Sequence, residues 1–413
     1  MSNKSKKPLR KKEKIPTLIL ISIVLGGISL YHNWYGDLSD IRLFYSLHFY
    51  DGQHLWPYTD KILIGRNYVQ HPVEYPALTG LIMWLISFLV TPSDTAAFSY
   101  YRITAALQIC LFAISTFLIS KLSNYRSGLY FVLAPAVLYS LNRNWDIWAI
   151  ATMLLSIYFF EKRKFQLSAI LLAVSIATKF FPLVLMLPIV IIFLQNRQTI
   201  MLFKYFLTTF SVWTAINLPF AIIDFDGWAY FYRFSFERSF GSPSIFEVIS
   251  ILLPSVKLNL IHFYVLNFIV LTMLIYFFVK LKSMLTLAAT SFFVMFGFIL
   301  FNKQYSMQYI IWLSALAVIS MSYIKNQNQK LLAFTYILWQ VFELAFQYAY
   351  FQKLLTDAYM NSDTPMTIAV SSTTYACVGI VRYFLAILFT LLLAKFLTSE
   401  YRDAKLVNSK TTF

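Results

Sequence analysis

The chain is predicted to be an all-α integral membrane protein, a polytopic bundle of about 12 transmembrane helices. Three observations carry this prediction: composition, the recurrence of long apolar runs, and the placement of basic residues. Of 413 residues, 59% are hydrophobic and only 13% charged, with a mean hydropathy of +0.64. A soluble domain carries about 25% charged residues. Apolar runs recur along the whole chain, at 15–30, 103–120, 149–160, 263–279, 310–324 and 383–397. With their flanks they reach the roughly 20 residues that a bilayer-spanning helix needs. No polar stretch is long enough for a separate soluble domain. The expected division is a basic tail (1–14), one membrane domain (15–397) and a second tail (398–413).

The formal net charge is +16, but its distribution does not indicate nucleic-acid binding. Seven short breaks between apolar runs, at 4–14, 121–126, 162–164, 197–204, 280–282, 325–330 and 395–410, hold 22 of the 34 Lys and Arg residues. Only Glu13, Glu161, Glu400 and Asp403 accompany them. The remaining breaks hold 12 basic and 14 acidic residues. This is the positive-inside bias, and it predicts that both termini are cytoplasmic. The basic N-terminus, with no small-residue cleavage site after its apolar run, reads as a retained first helix.

With that orientation each element follows in order. Residues 15–33 run outward, and the polar, aromatic stretch 34–75 lies outside. Residues 76–92 are apolar but short, and a full crossing there would invert the sign of every later loop. They are expected to be re-entrant or packed in the outer layer. Spans then alternate over 99–120, 128–142, 147–160, 166–178, 181–196, 200–222, 258–280, 284–301, 308–324, 330–350 and 370–396. Three outer segments are substantial: 34–75, 223–257 and 351–369. Function is expected on that face.

The pair 166–178 and 181–196 is short on both sides of Lys179-Phe180-Phe181-Pro182. Interrupted helices at membrane depth are tolerated where they line a cavity and often mark binding sites. Lys179 is either a snorkelling anchor or a phosphate ligand at the outer boundary. Cys110 and Cys377 both lie in apolar runs and read as small core hydrophobes, with neither a disulfide framework nor a zinc site expected. Glu343 and Arg382, each inside an apolar run, read as partners for one another.

Asp37 and Asp40 follow directly on the first helix. A carboxylate held there can act as a general base toward a membrane-anchored substrate. The alternatives are helix capping and, for the pair together, a magnesium site. His48, His54 and His71 are too loosely spaced to form a clear metal site. Most outer-boundary aromatics, among them Tyr31, Trp34, Trp56 and Trp228, fit an interfacial belt.

The order Asp40-x4-Tyr45-x6-Gly52, then Trp56-Pro57-Tyr58, then Glu74-Tyr75-Pro76 resembles the first outer loop of the bacterial α-mannosyltransferases that use polyprenyl-phosphate-mannose. These belong to the GT-C superfamily, glycosyltransferase family 87 type. Ala77 stands where that family's motif has a second proline. Asn144-Trp145-Asp146 with Thr178-Lys179-Phe180-Phe181-Pro182 looks like its central block. The run from Asn302-Lys303-Gln304-Tyr305 to Gln308-Tyr309-Ile310-Ile311-Trp312 is similar to its late outer loop and to the eukaryotic GPI-anchor mannosyltransferases. The four blocks stand in the family's order over about residues 15–325, on one predicted face.

The resemblance implies a GT-C helical bundle with a catalytic first outer loop (34–75) containing amphipathic or re-entrant helices. It implies metal-independent, inverting transfer of mannose from polyprenyl phosphate to a lipid-linked or glycolipid acceptor, with no cofactor. By the same resemblance Asp40 is the catalytic base, and Lys303, Lys179 and Arg143 meet the donor phosphate. Asp37, Arg42, Tyr45, His71, Glu74, Tyr75, Asn144, Asp146, Asn302, Gln308 and Tyr309 contact substrate. Relatives in the superfamily use other sugars, such as glucose or arabinose. A lipid or solute transporter is the second class, but it predicts internal repeats and midplane charges facing a pore, and no repeat is visible. A scaffold protein is the third. No Asn-x-Ser/Thr sequon falls on a predicted outer segment, which favours a bacterial plasma membrane over the endoplasmic reticulum.

Overall fold

The structure is a computed structural model, and it describes residues 14–34, 39–49, 54, 56–58, 61–62, 69–70, 72–241, 243–281, 286–359 and 370–410. Among these the chain is helical apart from one antiparallel ladder pairing β1 (Lys61–Ile62) with β2 (Val69–Gln70). Five helical segments are long and apolar enough to cross a bilayer: Ile15–His32, Ala96–Leu122, Thr199–Ile223, Leu260–Val279 and Ser372–Glu400. Large apolar side chains stand exposed along them, including Ile28, Phe203, Phe210, Phe268, Met273 and Phe384. Such a surface is stable only against a nonaqueous neighbour. This is the build of an all-α membrane protein.

After α1 (Lys14–His32), the first outer segment folds as the short amphipathic α2 (Asp40–His48), which turns Ile41, Tyr45 and His48 inward. Residues 76–92 yield only α3 (Ala77–Ser87), whose eleven residues rise about 16 Å, half of a hydrocarbon core. The long α4 (Ala96–Leu122) follows. The single span expected over 128–142 is two helices, α5 (Tyr125–Val132) and α6 (Pro135–Ser140). Pro135 begins the second because a proline lacks the N–H that would continue the first.

Next come α7 (Asp146–Glu161) and α8 (Phe165–Thr178). The expected interruption falls where the sequence places it: Lys179 is extended, Phe181–Leu185 is a 3-10 turn, and α9 runs Met186–Gln195. Then α10 (Thr199–Ile223), the outer helices α11 (Phe225–Glu237) and α12 (Ile245–Leu252), and α13 (Leu260–Leu281) follow. The last four are α14 (Leu287–Leu300), α15 (Tyr309–Met321), α16 (Asn326–Tyr359) and α17 (Ser372–Lys410).

Two boundaries differ from expectation. Helix α16 continues to Tyr359, through much of the predicted outer segment 351–369, and α17 continues through most of the predicted tail 398–413. Neither 351–359 nor 398–410 contains Gly or Pro, and Lys, Leu, Ala, Glu and Arg are good helix formers, so nothing stops propagation there. Cys110 and Cys377 are unpaired but exposed, on the outer sides of α4 and α17, rather than in the core. Apolar character marks a lipid-facing position as readily as a core one. The pairing of Glu343 with Arg382 is present: Arg382 Nε lies 2.9 Å from Glu343 Oε2.

Most of the core is one cluster centred on α7, α14 and α15, with a second under α2 and α3. Tyr58 organises the second. Its hydroxyl donates to Pro76 O (2.6 Å) and accepts from Gly80 N (3.1 Å). A Cβ at Gly80 would overlap the Tyr58 ring, and one at Gly227 would overlap the Tyr58 carbonyl. Those two glycines let α3 and α11 close onto Trp56-Pro57-Tyr58 from both sides.

Candidate active site

One cavity of about 680 Å³ opens between α2, residues 72–75, the 179–184 break, α11 and the 302–309 loop. Asp40, Glu74, Tyr75, Lys179, Asn302, Lys303, Gln308 and Tyr309 all line it. These residues span more than 260 positions of sequence, and the fold brings them onto one surface.

Asp40 is the first residue of α2, and its position is tied down from below. Ser39 caps the helix by accepting from Ile41 N (3.2 Å). The same hydroxyl donates to Arg143 O (3.0 Å), and Asp40 N donates to Arg143 O (2.9 Å). The carboxylate faces the cavity and accepts from the Tyr75 hydroxyl at 3.3 Å. As a residue Asp40 is exposed, but protein atoms crowd its carboxyl group. That crowding raises its pKa above the ordinary aspartate value, against the lowering pull of Lys179, Tyr75 and Arg143, while Asp146 adds a further raising effect. Glu74 is raised for the same first reason, opposed by Arg238 and reinforced by Asp40. A carboxylate raised toward working pH is a stronger base when ionised.

Lys179 reaches the cavity because α8 ends one residue before it. Its ammonium lies 2.7 Å from Asp146 Oδ1 and 4.6 Å from the Tyr75 ring centroid. Asp146 opens α7 and is wholly buried behind the cavity wall, where its second oxygen accepts from Trp312 Nε1 at 2.9 Å. Asp146 therefore holds the lysine that faces the cavity. The other cations come from segments predicted to lie outside: Lys303, which donates to Phe236 O (2.9 Å), and Arg238. Phe44, Leu183, Phe231 and Phe298 line the same cavity and give it an apolar wall.

Five of the residues expected to meet donor phosphate or substrate do not line the cavity: Asp146, buried behind its wall, and Arg143, Arg42, Tyr45 and Asn144. Arg143 lies outside the lining, with its guanidinium between the rings of Tyr139 (4.1 Å) and Phe351 (4.4 Å) and Nη2 on Asn33 Oδ1 (3.3 Å). Its backbone carbonyl, not its charge, serves Asp40. Arg42 stacks over Phe98 at 3.9 Å on another face of α2. Tyr45 packs against Tyr100 in the core (5.0 Å). Asn144 is buried in the turn before α7, its Oδ1 accepting from Asp146 N (3.0 Å). Helical periodicity explains these outcomes: on α2, Asp40, Leu43, Phe44 and Leu47 share the cavity face, and Arg42 and Tyr45 do not. Asp37 and His71 lie outside the described residues.

Two cavity residues escaped sequence reasoning. Arg238 follows α11 in a segment predicted to lie outside, where nothing in the sequence sets it apart from Arg233. His48, in the last turn of α2, is stacked on Phe44 at 5.3 Å and lies four residues after it. His54 is elsewhere, beside Ser87 (2.9 Å) and Phe88. Among the described residues no three His, Cys, Asp or Glu side chains converge as a metal site would require.

Comparison with known proteins finds no matching family model, no matching curated protein and no matching solved structure. The family likeness therefore rests on the four sequence blocks alone.

Proposed function

We propose that this chain is a membrane glycosyltransferase that moves a sugar, mannose in the first instance, from a polyprenyl-phosphate carrier to a hydroxyl of a glycolipid or lipid-linked acceptor. The observation that carries this reading is the cavity itself. It sets a carboxylate, Asp40, on one cavity with the cations Lys179, Lys303 and Arg238, beside apolar side chains.

The chemistry follows from that arrangement. Asp40 takes the acceptor hydroxyl proton as the hydroxyl oxygen attacks the anomeric carbon. The bond from that carbon to the phosphate oxygen breaks, its electron pair leaves with the phosphate, and the sugar passes through an oxocarbenium-like state. Attack opposite the leaving group inverts the anomeric configuration. Lys179, Lys303 and Arg238 meet the negative charge that grows on the phosphate, and fixed cations are effective there. Asn302, Gln308 and Glu74 supply polar partners for sugar hydroxyls. Every step is assigned to this chain's own side chains, with no metal or cofactor.

In the bilayer, the reading takes about twelve crossings, both termini on the cytoplasmic side and α3 held in the outer layer. The cavity then faces the extracytoplasmic side of a plasma membrane, bacterial by the absence of outer sequons. The test is transfer by purified protein in lipid nanodiscs, from radiolabelled polyprenyl-phosphate-mannose and its glucose and arabinose counterparts, with and without EDTA. EDTA-resistant mannose transfer with inversion is expected. A folded protein that transfers no sugar from any polyprenyl-phosphate donor would overturn the reading in favour of a transporter.

A further inference from the structure

The buried pair Glu343–Arg382 lies away from the cavity lining, between α16 and α17, and the transfer chemistry above makes no use of it. Its surroundings point to a task. Arg382 Nη2 donates to Tyr305 O at 3.3 Å, and its guanidinium lies 3.6 Å from the centroid of the Tyr305 ring. The Tyr305 hydroxyl also reaches Glu343 Oε2, at 3.5 Å. One residue of the 302–309 loop is thus gripped by its carbonyl, its ring and its hydroxyl. The loop continues into the cavity wall at Ser306, Gln308 and Tyr309, and the Tyr305 and Tyr309 rings stack in near-parallel fashion (15°).

A sealed ion pair is a poor device for stability alone. Replacing both partners by apolar groups of similar volume is often neutral or stabilising, because two desolvation costs disappear together. An arginine also offers a planar fork that can hold a carboxylate and a carbonyl at fixed angles, which an apolar side chain cannot do. We infer that Glu343 and Arg382 are positioning residues that clamp the 302–309 loop, through Tyr305, in the conformation that forms the polar wall of the cavity.

The experiment separates clamp from strut. A Cys110→Ser/Cys377→Ser background carries Ser306→Cys as a cavity-wall probe, modified by a charged, water-soluble thiol reagent. The pair is then replaced as Glu343→Leu/Arg382→Met, an uncharged combination chosen to fold, and each change is also made singly. Glu247→Gln serves as the comparison, since Glu247 accepts from Tyr375 (2.7 Å) and so joins α17 to a different helix, α12. A clamp predicts that the double variant melts at or above the parent temperature, yet its Ser306→Cys thiol reacts several-fold faster, and Glu247→Gln leaves the rate unchanged. Equal labelling rates in the folded double variant and its parent would overturn the inference. If the double variant melts far lower than its parent, the pair is a stability element and the inference likewise fails. The labelling arm needs no enzymatic activity. A kinetic arm, run with native Ser306 and resting on the transferase reading, expects kcat for sugar transfer to fall at least about tenfold (1.4 kcal/mol). Absence of transfer in the parent protein would sink that reading while leaving the labelling result to stand or fall by itself.

Discussion

Two buried ion pairs divide this molecule between them. Lys179–Asp146 and Arg382–Glu343 have nearly equal separations, 2.7 and 2.9 Å, and each ties together two consecutive helices, the start of α7 to the end of α8 and α16 to α17. They differ in what lies beside them. Lys179 retains 14% of its side-chain surface, and that surface belongs to the cavity; Arg382 and Glu343 retain none. In the first pair the carboxylate is hidden and the cation presented, so a ligand phosphate can share the lysine without breaking the pair. In the second, both charges are consumed internally. The lesson is that burial of a pair does not reveal its role, whereas the open side of the pair does.

The largest stability effect should fall on the sealed pair. Glu343→Ala strands Arg382 in an apolar interior, and removing one partner of a buried pair costs about 3–5 kcal/mol. A sharp fall in the thermal midpoint in detergent is expected, and a midpoint within a degree or two of the parent would break the contrast. Lys179→Met should act the other way round. Asp146 keeps its Trp312 partner and its place at the start of α7, so the midpoint should fall less than in Glu343→Ala, while sugar transfer drops roughly 10²-fold through loss of a phosphate cation. Equal destabilisation by the two variants would show that both pairs are structural.

Smaller effects sharpen the open side. A base must be ionised, and crowding of its carboxyl group raises the Asp40 pKa. Transfer should therefore decline as pH falls through that raised value, above the usual aspartate range near about 3.9. The folded state has the opposite dependence: the raised value favours folding below the ordinary pKa, and the benefit is lost as pH rises through the raised one. A pH–rate profile flat down to pH 4 would contradict Asp40 as base. Tyr75→Phe gives the mildest change. It removes a hydrogen bond that lowers the Asp40 pKa, so the acidic limb should move to higher pH by a fraction of a unit, and transfer at neutral pH should fall no more than a few-fold.

Much of this site is legible in the amino-acid sequence. The Lys179–Pro182 break, the Glu343–Arg382 pairing and the gathering of Asp40, Glu74, Lys179 and the 302–309 loop all follow from charges or prolines inside apolar runs, or from the order of the blocks. What is not legible depends on rotation about a helix axis. Near helix starts, a motif cannot say which side chain faces the substrate and which faces the core, and Arg42, Tyr45 and Asn144 turn to packing or capping. Arg143 stands out in the sequence for its charge, but its backbone carbonyl anchors Asp40. Arg238 does not stand out, because cations in an outer segment are equivalent until α11 is folded over the cavity. The two cysteines point the wrong way for a related reason: in a membrane protein, apolar surroundings do not separate interior from lipid-facing positions.

The most direct measurement compares wild type with Asp40→Asn in nanodiscs, scoring binding of a polyprenyl-phosphate sugar and its transfer separately. The account predicts retained donor binding, a thermal midpoint no lower than wild type at neutral pH, and transfer reduced by about 10²–10⁴, the range of a lost general base. Transfer within about twofold of wild type, the scale of a side chain outside the proton path, would contradict it.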